Sequence, residues 1–204
     1  ALLANGHTGL LVLDVADPSA PREIARLDLP GYASTIDQVV TPGGQRIAYV
    51  GAWADDDEPG AGLYVLDVTD RTSPGLIAVL DPGRRVWEVR VDEPRLYVCQ
   101  GPDGLATFDL ADPASPALVS HTDTGGSTSS VAAAGDTVLV ADYLAGLVAI
   151  DMADPASPIV LATAAEPVRA FSVATRGGYA YVSAQGPRTP GDADHPALCD
   201  APGF

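Results

Sequence analysis

Apolar residues along this chain come in short, strand-length runs, and almost every run stops at a cluster of Gly, Pro, Asp or Ser. The stretch from 85 to 123 shows the pattern. "RVWEVRV" (85–91) is broken by "DEP", "RLYVCQ" (95–100) by "GPDG", "LATFDL" (105–110) by "ADPASP", and "ALVSHTD" (117–123) by "TGGS". The runs are rich in β-branched and aromatic residues, and the breaks carry the residues that tight turns demand. No segment sustains an apolar period of 3.6, so the pattern predicts no helix of consequence.

The breaks themselves repeat. "GLLVLDVADPSAP" starts at Gly9, "GLYVLDVTDRTSP" at Gly62, "GLATFDLADPASP" at Gly104 and "GLVAIDMADPASP" at Gly146. The last three starts are 42 residues apart, the length of a four-stranded propeller blade. The longer first interval is explained by an insertion, "GAWADDDEPGAG", at 51–62. If the strands of a unit are a, b, c and d, the chain reads b-c-d, then a-b-c-d three times, then a-b. The predicted fold is all-β: a β-propeller of four-stranded antiparallel blades, with four to five blades present. The incomplete first and last sets point to a larger ring. Residues 1–185 are expected to form the blades and 186–204 an irregular tail or loop insertion. The chain opens without Met on what already reads as a strand, which suggests a fragment or a processed form.

The repeated acids have a structural explanation. Asp14, Asp67, Asp109 and Asp151 end strand c, and Asp17, Asp70, Asp112 and Asp154 begin the turn after it. Short carboxylates there accept hydrogen bonds from turn amides that no ladder reaches. A residue present in every blade serves the blade.

These units resemble the LVIVD repeat. The matching letters are "LLVLDV", "LYVLDV", "LATFDL" and "LVAIDM", each preceded by Gly, together with "IAYVGA", "RLYVCQ" and "YAYVSA". The likeness extends over nearly residues 1–185. It implies a β-propeller in an exported or surface-attached protein: extracellular, at the cell surface or periplasmic. It carries over no catalytic residue.

Charge narrows the partners. The formal net charge is −16, and all eleven basic residues are arginine. Such a surface repels phosphate backbones and anionic lipids, which argues against nucleic acid. No run of eighteen apolar residues occurs, so no membrane insertion by this segment is expected. Protein and glycan partners remain.

Candidate chemistry follows from where the loops fall. In an antiparallel blade the b–c and d–a loops share one face and the a–b and c–d loops the other. The uniform D-P-x-x-P turns occupy the second face; the insertion and the tail both leave from a strand b and decorate the first, the expected binding face. Asp55, Asp57 and Glu58 in the insertion form an oxygen-rich cluster of the kind Ca²⁺ favours, or a solvated acidic loop; the alternating order of a calcium loop is missing. Asp192, Asp194 and His195 in the tail offer a thinner set for a transition metal. Aligning the first strands puts Gln38, Glu88, Ser130 and Ser172 at one position, with Asp37 and Trp87 just before, as candidate residues lining a ligand-binding channel mouth. Cys99 and Cys199 fit a disulfide pinning the tail, or two separate thiols.

No nucleophile, base and orienter stand together in any known motif. The sequence is therefore best read as a protein- or glycan-binding or scaffold module, with Ca²⁺ as the one cofactor suggested. The rival is a metal-dependent propeller enzyme, a lactonase-like hydrolase or an oxidase, using Gln38 and Glu88 at the channel.

Overall fold

The computed structural model describes residues 1–54, 60–80, 84–164 and 169–185. Every regular element in them is a β-strand, and the strands form five sheets. β1 (Leu2–Ala4), β2 (Leu10–Asp14) and β3 (Arg22–Leu27) make a three-stranded sheet. β4 (Tyr32–Val40), β5 (Arg46–Trp53), β6 (Gly62–Asp67) and β7 (Gly75–Leu80) make a four-stranded one. So do β8 (Glu88–Asp92), β9 (Arg95–Cys99), β10 (Leu105–Asp109) and β11 (Ala117–Thr122). The fourth sheet is β12 (Ser130–Ala134), β13 (Thr137–Ala141), β14 (Leu147–Asp151) and β15 (Ile159–Ala164), and β16 (Arg169–Arg176) pairs with β17 (Tyr179–Gln185). Each sheet keeps sequence order, with neighbours antiparallel wherever a register is defined. These are β-propeller blades, and the b-c-d, three times a-b-c-d, a-b order predicted from the repeat is the order found.

Contacts divide the chain into two units. The first comprises Ala1–Val98 with Ala106–Val119; the second comprises 99–105 and the described residues from Ser120 onward.

In the first unit β5 shows why strand b reads as an unbroken apolar run. Alternate side chains leave a strand on opposite faces. Ile47 and Tyr49 join a core with Val86, Val89, Leu96 and Phe108. Ala48, Val50 and Ala52 join another with Leu10, Val12, Leu29 and Leu66. Both faces are buried, so the usual polar alternation is absent. In the second unit a smaller core gathers Ala132, Ala141, Ala170 and Val173, with Leu139 and Leu147 packed against it. The outermost strands are wetter: Leu76, Leu118, Ile159 and Leu161 are all more than half exposed.

The outer strand bulges at one place in three blades: Ile24, Ile77 and Leu161 are each skipped where the pairing passes from Val12 to Leu13, Val65 to Leu66 and Ala149 to Ile150 on strand c. An extra residue of this kind bends the outer strand and sharpens its local twist.

Candidate functional site

All eight repeated aspartates are explained by their turns. Asp14, Asp67, Asp109 and Asp151 each accept the N–H two residues on, at 2.6–2.9 Å. Asp17, Asp70, Asp112 and Asp154 do the same at 2.9–3.1 Å. The Ser19, Thr72 and Thr69 side chains, with the adjacent amides, hold Asp17, Asp70 and Asp67 below the usual carboxylate range. This face of the blades is built for turn geometry.

The opposite face is where neighbouring blades are joined and where they differ. Each short b–c turn forms a two-hydrogen-bond bridge to the next first strand: Gly6 with Ala33, Gly101 with Thr128, and Tyr143 with Ala170. These bridges fix the true alignment of the first strands. Side chain to backbone bonds continue it. Thr35 Oγ1 accepts Val89 N–H at 3.2 Å, and Ser130 Oγ accepts Val173 N–H at 3.1 Å.

Thr35, Glu88, Ser130 and Ser172 are therefore the equivalent set, and the expected place of Gln38 is corrected by three residues. The error has a physical source. β4 runs for nine residues and has a polar residue before a β-branched one both at Thr35–Ile36 and at Gln38–Val39, and the second was aligned in place of the first. Gln38 lies instead in a shallow pocket with Ala1, Leu2, Arg46, Val68 and Arg71. Asp37 accepts the N–H of Val91 at 2.9 Å, stitching β4 to β8. Ser130 and Ser172 approach each other at 3.5 Å across adjacent first strands, and Glu88 pairs with Arg90 at 3.1 Å.

Trp87 belongs to a feature that the linear sequence hides. His7 meets Tyr32 edge-on at 5.1 Å between ring centroids. Tyr32 lies against Trp53 at 4.8 Å, and Trp53 is stacked with Trp87 at 6.1 Å and 20°. The four rings form a row on the b–c and d–a side of the first unit. His7 is exposed, Tyr32 is 37% exposed, and both tryptophans are half-buried. Trp53 stands near the start of the insertion, and the far end is anchored: Tyr64 donates its hydroxyl proton between Gly60 O and Pro30 O, 2.9 and 3.2 Å away.

The second unit has its own exceptional group on this side. Gln100, Thr122, Thr124, Thr128, Ser130 and Asp142 are polar yet buried. Gln100 Oε1 lies 2.9 Å from His121 Nε2, and Thr128 donates its hydroxyl to Gly104 O at 2.7 Å. Asp142 is wholly buried, and burial pushes its carboxyl up to about 6, with Asp123 reinforcing the shift and Thr124 opposing it. Thr124 is near enough to favour the anion, but its geometry falls short of a hydrogen bond. Sequence reading passed over Asp142, because "VADYLAG" looks like an ordinary turn until the b–c loops are aligned.

The other candidates lie outside the described residues: Asp55, Asp57 and Glu58 in the insertion, and Asp192, Asp194 and His195 in the tail. Cys99 is buried at the end of β9, and Cys199 is also outside the described residues. Among the described residues no three His, Cys, Asp or Glu side chains gather as a metal centre. No helix among them is long and apolar enough to cross a membrane.

A family model of the LVIVD repeat matches residues 1–28, 83–124, 125–164 and 169–186, well over half of the chain. The chain belongs to the LVIVD-repeat family. Three of the matched stretches open or close at the blade boundaries seen in the structure. The unmatched 29–82 holds the insertion, yet folds into a full LVIVD-type blade, β4–β7. A search of curated proteins gives no match. Among solved structures, the crystal structure of the computationally designed Ika8 protein is similar, with a TM-score of 0.66 at 10% identity over 90% of this chain. This LVIVD chain spans about half (52%) of that protein's length, and at such identity the likeness concerns the fold alone.

Proposed function

We propose that this LVIVD-repeat chain is a binding or scaffold module of an exported or cell-surface protein, and that it takes its protein or glycan partner on the b–c and d–a side. The row His7–Tyr32–Trp53–Trp87 carries the reading. Partly exposed aromatic rings in a row are rigid and hold one polar edge each, the composition that recurs where proteins recognise partners. The C–H face of a sugar ring stacks on such rings without any charge, which suits a surface with a net charge of −16. The acidic run of the insertion starts at Asp55, two residues after Trp53 in the chain.

The chain supplies its own probe, because its two tryptophans are Trp53 and Trp87. A partner seated on the row must change tryptophan emission. A glycan panel and a surface-protein pull-down, followed by fluorescence titration, should find a partner that quenches or blue-shifts that emission. Affinity should fall at least about tenfold in Trp53→Ala and Trp87→Ala, a loss of about 1.4 kcal/mol or more. A partner that binds both variants as tightly as the wild type, with emission unmoved, would remove the row from the function.

A further inference from the structure

The repeat is an internal control for each position. Just before the short b–c turn three blades carry Asn5, Gln100 and Asp142. The first two are neutral amides with partners: Asn5 Nδ2 donates to Thr8 Oγ1 at 2.6 Å, and Gln100 Oε1 meets the His121 ring. Asp142 is an acid at 0% exposure, and neither of its carboxylate oxygens has a hydrogen-bond partner. The next residue departs as well. Tyr143 has φ 42° where the other blades place Gly6 (56°) and Gly101 (62°). A side chain in that region is strained by about 1–2 kcal/mol, and such local violations concentrate where a site must be held.

The side chains that act on the Asp142 carboxyl, Thr124 and Asp123, are oxygen-bearing. Thr124, two-residue neighbour of Gly126, has a buried hydroxyl without a hydrogen-bond partner, and so has Thr122. Asp123 lies between them, close enough to raise the energy of a charge on Asp142, and its own carboxylate is fixed by Gly125 N–H at 2.9 Å. The linker packs directly on the acid: a methyl at Gly126 would sit 2.6 Å from Asp142 Oδ2. His121, the nearest imidazole in the segment, is engaged with Gln100.

We propose that Asp142, Thr124 and Asp123 form a binding site for a hard, oxygen-preferring divalent cation of the Ca²⁺ class. A buried carboxylate without donors must be neutralised, and a cation does so while also taking up an orphaned hydroxyl. Ca²⁺ accepts irregular sets of carboxylate, hydroxyl, carbonyl and water oxygens, whereas Mg²⁺ demands a tighter octahedron and transition metals prefer nitrogen or sulfur. Asp123, exposed, marks the side from which the ion enters.

The test is a CaCl₂ titration of the chelator-stripped chain at pH 7.5, read by thermal midpoint and by calorimetric isotherm. At a hundredfold excess over Kd the midpoint should rise by about 5 °C or more. Asp142→Asn should lose that rise and its share of the isotherm while remaining folded. Thr124→Val, which keeps shape and removes one oxygen, should weaken binding about tenfold and stands in if the first variant does not fold. Asp55→Ala/Asp57→Ala should keep the response, separating this site from the acidic insertion. An unchanged isotherm in Asp142→Asn and Thr124→Val overturns the proposal. So does the absence of any response up to about 10 mM Ca²⁺, beyond the weakest extracellular calcium modules.

Discussion

Two populations of aspartate in this chain titrate in opposite senses, and pH separates them. Asp17, Asp67 and Asp70 are lowered by hydrogen bonds to their turns, so their contribution is present at neutral pH and lost as pH falls through their folded-state values, below the ordinary carboxylate range. Asp142 is raised to about 6, chiefly by burial. A raised acid penalises the folded state once ionised, and that penalty disappears as pH falls from about 6 to 4. In chelator-stripped protein, stability should therefore increase on acidification from pH 7.5 to 5 and decline again below pH 4. The rise is at most about 3 kcal/mol, the value of a two-unit shift. Asp142→Asn should be the more stable protein at pH 7.5 and should lack the rise, while the decline below pH 4 persists. Urea unfolding across that range decides it. A wild type whose stability falls monotonically from pH 7.5 would mean that Asp142 is not the buried acid described.

At the scale of the strand, the blade-to-blade contact is closest at Gly51. A methyl there would overlap Val86 Cγ1 and Thr35 Cγ2, both on β-branched side chains with little room to turn. Gly51→Ala should cost about 1–3 kcal/mol in denaturant midpoint, the range of overpacked cores. Gly75→Ala, at a position with open space on β7, should be neutral or slightly stabilising. Equal effects would mean that β5 packs against Val86 and Thr35 more loosely than these distances imply. Strands were the legible part of this sequence because each ends on turn chemistry that repeats in register. Within a strand that punctuation is missing, and β4 shows the consequence. Nothing in "YASTIDQVV" says which polar residue faces β8; only the bridge from Gly6 to Ala33 and the bond from Thr35 to Val89 do. The aromatic row was hidden for a related reason. Its rings come from a b–c turn, the start of β4, the end of β5 and the linker before β8, from residue 7 to residue 87, and only blade stacking assembles them. Asp142 was hidden because its oddity is relative, visible against Asn5 and Gln100 and not in its own neighbours.

Taken as a whole, the molecule carries 27 acids against eleven arginines, and its described blades pack through short apolar strands. The described pairs Arg26–Glu23 and Arg90–Glu88 are local, within one strand, and largely solvent-facing, so each is worth little to the fold. Like charges spread over every blade repel one another across distances longer than a hydrogen bond, and that repulsion is what salt removes. The Debye length shrinks from about 30 Å at 0.01 M to below about 8 Å above physiological ionic strength. Screening should then act on the many distant acid–acid pairs and hardly on the Asx turns, whose hydrogen bonds are at contact. The thermal midpoint of chelator-stripped protein should accordingly rise between about 10 mM and 0.5 M NaCl. It should rise equally in Asp142→Asn, since one buried site out of 27 acids barely changes the total field. A Ca²⁺ effect at the proposed site differs in kind: it saturates at millimolar concentrations or below, and it vanishes in that variant. A midpoint that falls with NaCl would show that attractive pairs, not self-repulsion, dominate the surface.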